Sequence, residues 1–368
     1  MSRPPTDESQ DEAASAAHTA RRARGLARGA IALVWIGFAA LLLWLSPQGV
    51  DGWTLWREQM GGSVVAAGVP EDGVNGPDPT LGWKHVPGRA MEAVNLGPRI
   101  TWTINANGFR ADHNYAPTPA PGVHRVIGVG DSFTFGQCAA SETWPAQLEA
   151  RLPAAEVINM GANGYGVDQM YLWYQQDGVR FDADVVVLAV IGDDMVRVSL
   201  ERWPSGYAKP RFRVIDDALV LTNVPVPPRL ERGQPLVGWS GMLSFIATRI
   251  VRGNQTAIDR VTPLRIVQEF ASAVQARGDH FLLVYFPQPW GEDWSTALAS
   301  FTTQQGIPYL DLTSAFLAAQ GGPGKELAPR WLGPNAHYNA EANALVATEL
   351  ARVLTRRGWL GDDASAPR

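Results

Sequence analysis

The stretch ADVVVLAVIG, residues 183–192, contains four valines, one leucine and one isoleucine, and no polar residue follows Asp184. A continuous β-branched run of this kind is typical of a strand that is buried on both faces, as in a parallel sheet. Four shorter apolar runs are similar and are read as strands: HRVIGVG (124–130), EVINMG (156–161), FLLVYF (281–286) and PYLDL (308–312).

Helical segments separate these strands from residue 124 onwards. They are residues 142–152, 167–176, 262–277, 293–305 and about 340–357. Regular alternation of strand and helix predicts an α/β fold: a doubly wound, flavodoxin-like three-layer sandwich with a central, mostly parallel five-stranded sheet. The active site of such a sheet lies beyond the carboxyl ends of its strands. The loops after Gly130, Gly161, Gly192 and Leu332 are therefore expected to converge there.

One long segment, residues 197–260, interrupts the alternation. Within it, RFRVIDDALVLTNVPV (211–226) has two strand-like halves on either side of Asp216 and Asp217. Two short β-rich halves around a pair of turn-forming residues predict a β-hairpin.

The N-terminal region contains a candidate membrane span. Arg21, Arg22, Arg24 and Arg28 precede the charge-free run GAIALVWIGFAALLLWL. As a helix, these 17 residues would be about 26 Å long, near the short end of what crosses a bilayer. A cleaved signal peptide and a buried core helix are the alternatives. The run is longer than a typical signal-peptide core and lacks the polar face of a core helix.

The four arginines also predict the orientation of the span. The segment SPQGVDG that follows it carries only one charge, so the positive-inside rule keeps the N-terminus cytoplasmic. The predicted organisation is a disordered cytoplasmic tail (1–28), a transmembrane signal-anchor (29–46), a Gly- and Pro-rich linker (47–80) and a domain (81–358) that includes the excursion 197–260. The domain would then lie outside the cytoplasm, anchored to the inner (plasma) membrane in a single pass.

Composition excludes several classes of function. A net charge of −5 argues against a nucleic-acid partner, and the single cysteine, Cys138, excludes an intrachain disulfide and a multi-cysteine metal site. The chain has no glycine loop of the kind that cradles a nucleotide phosphate, and no histidine pair with metal-ligand spacing. We therefore expect neither a cofactor nor a metal, and the sequence leaves protein partners open.

Three short motifs follow the first three predicted strands in order, and a fourth precedes the last predicted helix. GDSFTFG (130–136) follows the first strand and places Ser132 at a strand-to-loop turn. NMGANGYG (159–166) follows the second strand, and IGDD (191–194) follows the third. NAHYN (335–339) precedes the last helix. A serine at such a turn exposes its hydroxyl, and a histidine within hydrogen-bond reach could take its proton.

This series resembles the four sequence blocks of the SGNH, or GDSL-type, hydrolases, and the resemblance covers about residues 80–355. It implies that Ser132 is the nucleophile and His337 the base. It also implies an oxyanion hole made by the backbone N–H groups of Ser132 and Gly164 together with the side chain at position 193. The orienting residue of the triad would be Asn335.

Two positions depart from the family pattern. Asp193 stands where the family has the asparagine of its oxyanion hole, and a carboxylate has no proton to donate unless it is protonated. Asn335 stands where the family has the aspartate that orients the histidine. An amide can hold the ring through its oxygen but cannot compensate the charge of an imidazolium. Both substitutions are expected to weaken hydrolysis.

The resemblance implies a membrane-anchored serine esterase that acts on an acyl ester, of which O-acetyl on an envelope polysaccharide or similar glycan is the expected kind. The alternatives are an O-acyltransferase of the same fold and a weakly catalytic or non-catalytic glycan-binding component of an envelope assembly complex. Several tryptophans fall in predicted loops around the site and could either stack on sugar rings or pack in the interior. They are Trp203, Trp239, Trp290, Trp294 and Trp331.

Overall fold

The computed structural model of the chain describes residues 73–93, 100–203, 207–228, 259–322, 329–333 and 336–360. The predicted cytoplasmic tail, the predicted membrane span and most of the predicted linker lie outside these residues. Among the residues that are described, no helix has both the length and the apolar character needed to cross a membrane.

Eleven strands and eight α-helices are formed by the described residues. The strands are β1 (Asn75–Asp78), β2 (Gly82–His85), β3 (Ala90–Ala93), β4 (Ile100–Thr103), β5 (His124–Gly130), β6 (Ala155–Gly161), β7 (Val185–Val190), β8 (Arg211–Ile215), β9 (Ala218–Thr222), β10 (His280–Tyr285) and β11 (Tyr309–Asp311). The helices are α1 (Ser132–Phe135), α2 (Trp144–Glu149), α3 (Val167–Gln176), α4 (Gly192–Arg197), α5 (Val261–Gln275), α6 (Ser295–Gln305), α7 (Thr313–Ala319) and α8 (Ala340–Arg356).

The central sheet has five strands in the order β11–β10–β7–β5–β6, and every neighbouring pair is parallel. Numbered along the chain, this is the order 2-1-3-4-5 reversed, which is the flavodoxin-like arrangement. The predicted doubly wound α/β fold is therefore confirmed. All five carboxyl ends lie at one edge of the sheet, so the loops that follow β5, β6, β7 and β10 meet there.

Two apolar layers cover the two faces of this sheet. Along β7, Val186 and Leu188 contribute to one layer, while Val185 and Val187 contribute to the other. The first layer includes apolar side chains of α3, α5 and α6, and the second includes those of α2, α7 and α8. Burial on both faces explains why the sequence of β7 shows no polar alternation.

The interruption after α4 contains the predicted hairpin. Strands β8 and β9 pair antiparallel around Asp216 and Asp217, whose φ angles are +48° and +60°. Positive φ at both central residues is the requirement of a type I′ turn, and aspartate tolerates it better than most residues do.

The end of the predicted linker is wrong in one respect. Residues 75–78 were assigned to it, but they form β1, which pairs with β2. The Oδ1 of Asp78 accepts the backbone N–H groups of Thr80 and Leu81, both at 2.8 Å, and so closes the turn between the two strands. Gly76 and Pro77 therefore lie in a strand of a β-hairpin rather than in an unstructured linker.

Helix boundaries differ from the predicted ones where a capping side chain or a proline limits the helix. The predicted helix 142–152 begins at Trp144, because the Thr143 side chain caps it and Pro145 fits the first turn. It ends at Glu149, and Pro153 keeps it from reaching the predicted end at residue 152, since a residue before proline avoids the helical region. The short helices α1, α4 and α7 were not predicted, because segments of four to seven residues carry too little periodicity.

Candidate active site

The turn after β5 fixes the position of Ser132. Asp131 caps the short helix α1, and its Oδ1 accepts the backbone N–H of Phe133 at 2.8 Å. Ser132 is therefore the first residue of a helix that begins at the carboxyl edge of the sheet. Its side chain is mostly buried, with 8% of the residue exposed.

The loop before α8 fixes His337. The Asn339 side chain caps α8 by accepting the backbone N–H of Ala342 at 3.0 Å. On the N-terminal side, the backbone N–H of Gly333 donates to the His337 carbonyl at 2.7 Å. The next residue, Tyr338, is buried, so its ring anchors the histidine from the adjacent position.

These two turns bring Ser132 and His337 together, although 205 positions separate them in the sequence. The Oγ of Ser132 lies 2.7 Å from Nε2 of His337 and 3.3 Å from Oδ2 of Asp131. The Phe133 ring lies against the imidazole with a centroid distance of 4.8 Å. This geometry allows Nε2 to accept the hydroxyl proton, which requires the other ring proton on Nδ1.

Gly164, in the loop after β6, must be glycine for two reasons. Its φ is +77°, and a Cβ at this position would lie 2.8 Å from the Trp203 ring. A positive φ and the overlying indole both exclude a larger residue. The neighbouring Asn163 carbonyl accepts the indole N–H of Trp83 at 3.1 Å, and the Asn163 side chain accepts from Gln137 at 2.9 Å. The loop that carries the predicted oxyanion glycine is thus held on both sides.

Asp193 is the second residue of α4, at the carboxyl end of β7. Its side chain and that of Gln288 both approach Gly291. A Cβ at Gly291 would lie 2.6 Å from Oδ1 of Asp193 and 2.7 Å from Nε2 of Gln288. Burial raises the pKa of the Asp193 carboxyl; Arg197 opposes this rise and Asp131 adds to it. The side chain therefore keeps its proton to a higher pH than an exposed aspartate does.

Arg197 connects the carboxylates behind the serine. Its Nη1 donates to Oδ2 of Asp131 and to the Tyr165 carbonyl, each at 3.0 Å, and also to Oδ1 of Asp194. Asp194 is completely buried, and its Oδ2 accepts the backbone N–H of Ile191 at 2.9 Å. One guanidinium thus compensates two buried carboxylates, one of which contacts the nucleophile candidate.

Arg197→Met should lower the free energy of unfolding by about 3–5 kcal/mol, because it leaves Asp131 and Asp194 buried without their cationic partner. Equilibrium urea unfolding measures the change. Arg352→Met is the matched control: Arg352 pairs with Glu349 at the same three-residue helical spacing but is exposed. That change should cost less than about 1 kcal/mol. Equal losses in the two variants would contradict this role of Arg197.

Sequence reasoning missed the charged residues beneath the site. Arg197 follows Asp193 by four residues and Asp194 by three, and this helical spacing was the available signal. Lys209 could not be predicted from a local pattern, because its partners are distant in the sequence. Its Nζ donates to Asp168 at 2.8 Å and to the Arg197 carbonyl at 3.1 Å. Both side chains of this ion pair are fully buried.

Asn335 and Cys138 remain to be placed. Asn335 lies outside the described residues, so its predicted contact with His337 stays a prediction. Cys138 is buried, accepts a hydrogen bond from Asn343 at 3.6 Å and has its pKa raised to about 12 by burial. Such a thiol is a packing residue and a poor nucleophile at neutral pH. Within the described ranges, no three His, Cys, Asp or Glu side chains are grouped so as to hold a metal ion.

The tryptophans near the predicted loops differ in burial. Trp294 and Trp331 are buried in the two apolar layers. Trp203 packs over Gly164 and receives the Arg197 guanidinium on its ring face. Trp290 is exposed in the loop after β10, and Trp239 lies outside the described residues.

Solved structures of similar proteins share low sequence identity with this chain. A GDSL-like lipase from Bacteroides thetaiotaomicron is 13% identical, with 66% of this chain and 93% of that chain covered and a TM-score of 0.39. A lipase/acylhydrolase from Enterococcus faecalis is 14% identical, with 64% and 97% covered and a TM-score of 0.39. An acetyl xylan esterase is 18% identical, with 62% and 99% covered and a TM-score of 0.40.

The comparison with curated proteins gives no match. A family model described as the GDSL-like lipase/acylhydrolase family matches residues 129–345, which is more than half of the chain. The matched region begins at the end of β5, just before the turn that carries Ser132, and includes Gly164, Asp193 and His337. The chain therefore belongs to the GDSL-like lipase/acylhydrolase family.

Proposed function

We propose that this protein is a serine esterase in which Ser132 attacks the ester carbonyl and His337 accepts the serine proton. The observation that carries the proposal is the 2.7 Å distance between Oγ of Ser132 and Nε2 of His337. A serine hydroxyl is a weak nucleophile on its own, and an adjacent base within hydrogen-bond reach activates it.

In the proposed reaction, Oγ bonds to the carbonyl carbon while its proton moves to Nε2. The carbonyl oxygen becomes an oxyanion, and when the tetrahedral intermediate collapses, the protonated His337 gives its proton to the leaving alcohol. Water then attacks the acyl-serine with His337 again as base. This attack releases the carboxylic acid and restores the Ser132 hydroxyl.

The proposed oxyanion hole consists of the backbone N–H groups of Ser132 and Gly164 together with a protonated Asp193. Fixed donors at the site where negative charge develops lower the barrier to acyl transfer. Burial of Asp193 supports its part, because burial raises the pKa of the carboxyl and so favours its protonated, donating form. We retain Asn335 as the candidate that orients His337, with its amide oxygen as the acceptor for Nδ1–H.

The experiment that tests the activity is hydrolysis of p-nitrophenyl acetate by the full-length protein, compared with Ser132→Ala. Hydrolysis that disappears in the variant supports the proposal. An equal rate in both proteins overturns it. The finer substrate that we propose is an O-acetyl ester of an envelope glycan, by similarity to membrane-anchored bacterial members of the family.

We further propose that the catalytic domain lies outside the cytoplasm. The support is the sequence: four arginines precede a charge-free run of 17 residues, and this pattern retains the N-terminus on the cytoplasmic side. Alkaline phosphatase fused after Arg368 should therefore be active in cells. Green fluorescent protein fused at the same position should be dark, because it would be exported unfolded. A fluorescent fusion that fractionates with the cytoplasm would contradict this topology.

A further inference from the structure

Gly164 lies in a β-turn whose central peptide has two available orientations. The backbone N–H of Tyr165 donates to the Ala162 carbonyl at 3.3 Å and closes the turn. Asn163 and Gly164 are its two central residues, and of these only Gly164 has a positive φ, as in a type II turn. A type I turn differs from it mainly by rotation of the central peptide, and glycine at the third position permits both turns.

The orientation of this peptide decides which group meets the proposed oxyanion. The Asn163 carbonyl and the Gly164 N–H belong to one planar trans peptide unit, so the two groups point in opposite directions. Rotation by half a turn would exchange the positions of the donor and the carbonyl oxygen. An oxygen without a proton repels an oxyanion, so only one orientation serves the proposed mechanism.

The same loop packs directly against the turn that carries Ser132. The backbone N–H of Ala162 donates to the Gly130 carbonyl at 3.0 Å. A Cβ on Gly161 would lie 2.1 Å from the backbone nitrogen of Phe135 in α1. Because Gly130 and Phe135 lie on either side of Ser132 in the chain, the loop and the nucleophile turn form one packed unit.

Trp83, in β2, binds this turn on both sides of Gly164. Its indole N–H donates to the Asn163 carbonyl at 3.1 Å, and its own carbonyl accepts the phenol hydrogen of Tyr165 at 2.5 Å. Trp83 is 3% exposed. If the peptide rotated, the buried indole N–H would lose its acceptor, and an unpaired buried donor is costly. This hydrogen bond therefore disfavours the rotated peptide.

We infer that Trp83 is a positioning residue for the oxyanion hole, whose indole N–H holds the Asn163–Gly164 peptide with its own N–H towards the ester oxyanion. The inference rests on the proposed esterase function and adds the residue that keeps one of its donors in place. A hydrogen bond to the carbonyl also polarises the peptide and strengthens the N–H as a donor. Trp83 precedes Ser132 in the chain and belongs to none of the four motifs.

Kinetics of the full-length protein test this role. Trp83→Phe deletes the indole N–H but keeps an aromatic ring and the backbone carbonyl that binds Tyr165. For p-nitrophenyl acetate, kcat should fall about tenfold, less than the 10²–10³ that loss of a whole donor costs, while KM stays within about twofold. A boronic acid that forms a tetrahedral adduct on Ser132 should bind more weakly by the same factor as kcat falls.

Trp102→Phe is the matched control. Trp102 lies in β4, and its buried indole N–H has no hydrogen-bond partner among the described residues. The change therefore shrinks an aromatic side chain in the same way without removing a hydrogen bond, and kcat should stay at the wild-type value. Equal losses of kcat in Trp83→Phe and Trp102→Phe would reveal a packing effect only and overturn the inference.

NMR of the peptide itself gives a readout that does not depend on activity. The chain has three Asn–Gly pairs, at residues 75–76, 107–108 and 163–164. Isotope labels on the asparagine carbonyl carbons and the glycine nitrogens therefore give three amide signals in a carbonyl-edited spectrum. In Trp83→Phe the Gly164 signal should broaden through exchange between two orientations, while the Gly108 signal stays sharp.

The two measurements separate this inference from the proposed activity. A Gly164 signal that stays sharp in Trp83→Phe, with kcat unchanged, overturns the inference and leaves the esterase proposal standing. Hydrolysis that is equal in the wild type and Ser132→Ala overturns the esterase proposal. A Gly164 signal that broadens in Trp83→Phe would then still uphold the hold of Trp83 on the peptide.

Discussion

Replacing Ser132 by alanine should lower kcat for p-nitrophenyl acetate by a factor on the order of 10⁶, and His337→Ala should lower it by a similar factor. The reason is the 2.7 Å contact between Oγ and Nε2: either group without the other cannot complete the proton transfer. The double variant should be no slower than either single variant, since residues that act as one unit do not give multiplicative losses.

Steady-state kinetics of the three variants measure this effect. Ser199→Ala and His280→Ala serve as controls, because Ser199 is an exposed residue after α4 and His280 lies at the amino end of β10. Both controls should retain the wild-type rate. Losses that multiply in the double variant would show that the serine and the histidine act separately, and would contradict the proposed pair.

Asp193→Asn should raise the rate at neutral pH, by a factor of up to about 10²–10³, the effect of one oxyanion-hole donor in a serine protease. The amide donates at every pH, whereas the Asp193 carboxyl donates only while it is protonated. Burial raises its pKa, so the proton persists above the range of an exposed aspartate but is lost as the pH rises further. Ionisation then removes a donor and adds a negative charge beside the oxyanion.

The pH profile of kcat/KM is the measurement. In the wild type, activity should fall on the alkaline side as Asp193 ionises, so its optimum should be more acidic than that of Asp193→Asn. In the variant this fall should be absent, and the rise that accompanies deprotonation of His337 should remain. Asp194→Asn is the control: its oxygens accept from Ile191 and Arg197, so the change should bring no gain. An unchanged profile in Asp193→Asn would exclude its part in the oxyanion hole.

Much of the fold could be predicted because its strands are locally distinct. Residues 183–192 show no polar alternation, since β7 contributes side chains to both apolar layers. The hairpin around Asp216 and Asp217 was also readable, because a two-residue turn with positive φ demands particular residue types. The segment 75–78 was misjudged for the opposite reason: its glycine and proline are typical of a loop or linker, although they lie in a strand.

The candidate site could be predicted only where a motif borders a predicted strand or helix. Ser132 and His337 are brought together by the parallel sheet, whose strands all end at one edge. The helical spacing from Asp194 to Arg197 is a local signal, but the contact of Arg197 with Asp131 and those of Lys209 cross the fold, and no local pattern encodes them. Sequence could not separate Trp290 from Trp294 either, since residues four positions apart in one loop differ only in their burial.

The most direct test of the central claim is covalent labelling of the full-length protein by a fluorophosphonate, read by intact mass and peptide mapping. Activation of Ser132 by His337 predicts a single adduct on the peptide that contains Ser132, absent in Ser132→Ala and formed far more slowly in His337→Ala. A wild-type protein that stays unlabelled, or an adduct that persists in Ser132→Ala, would contradict the assignment of Ser132 as the nucleophile.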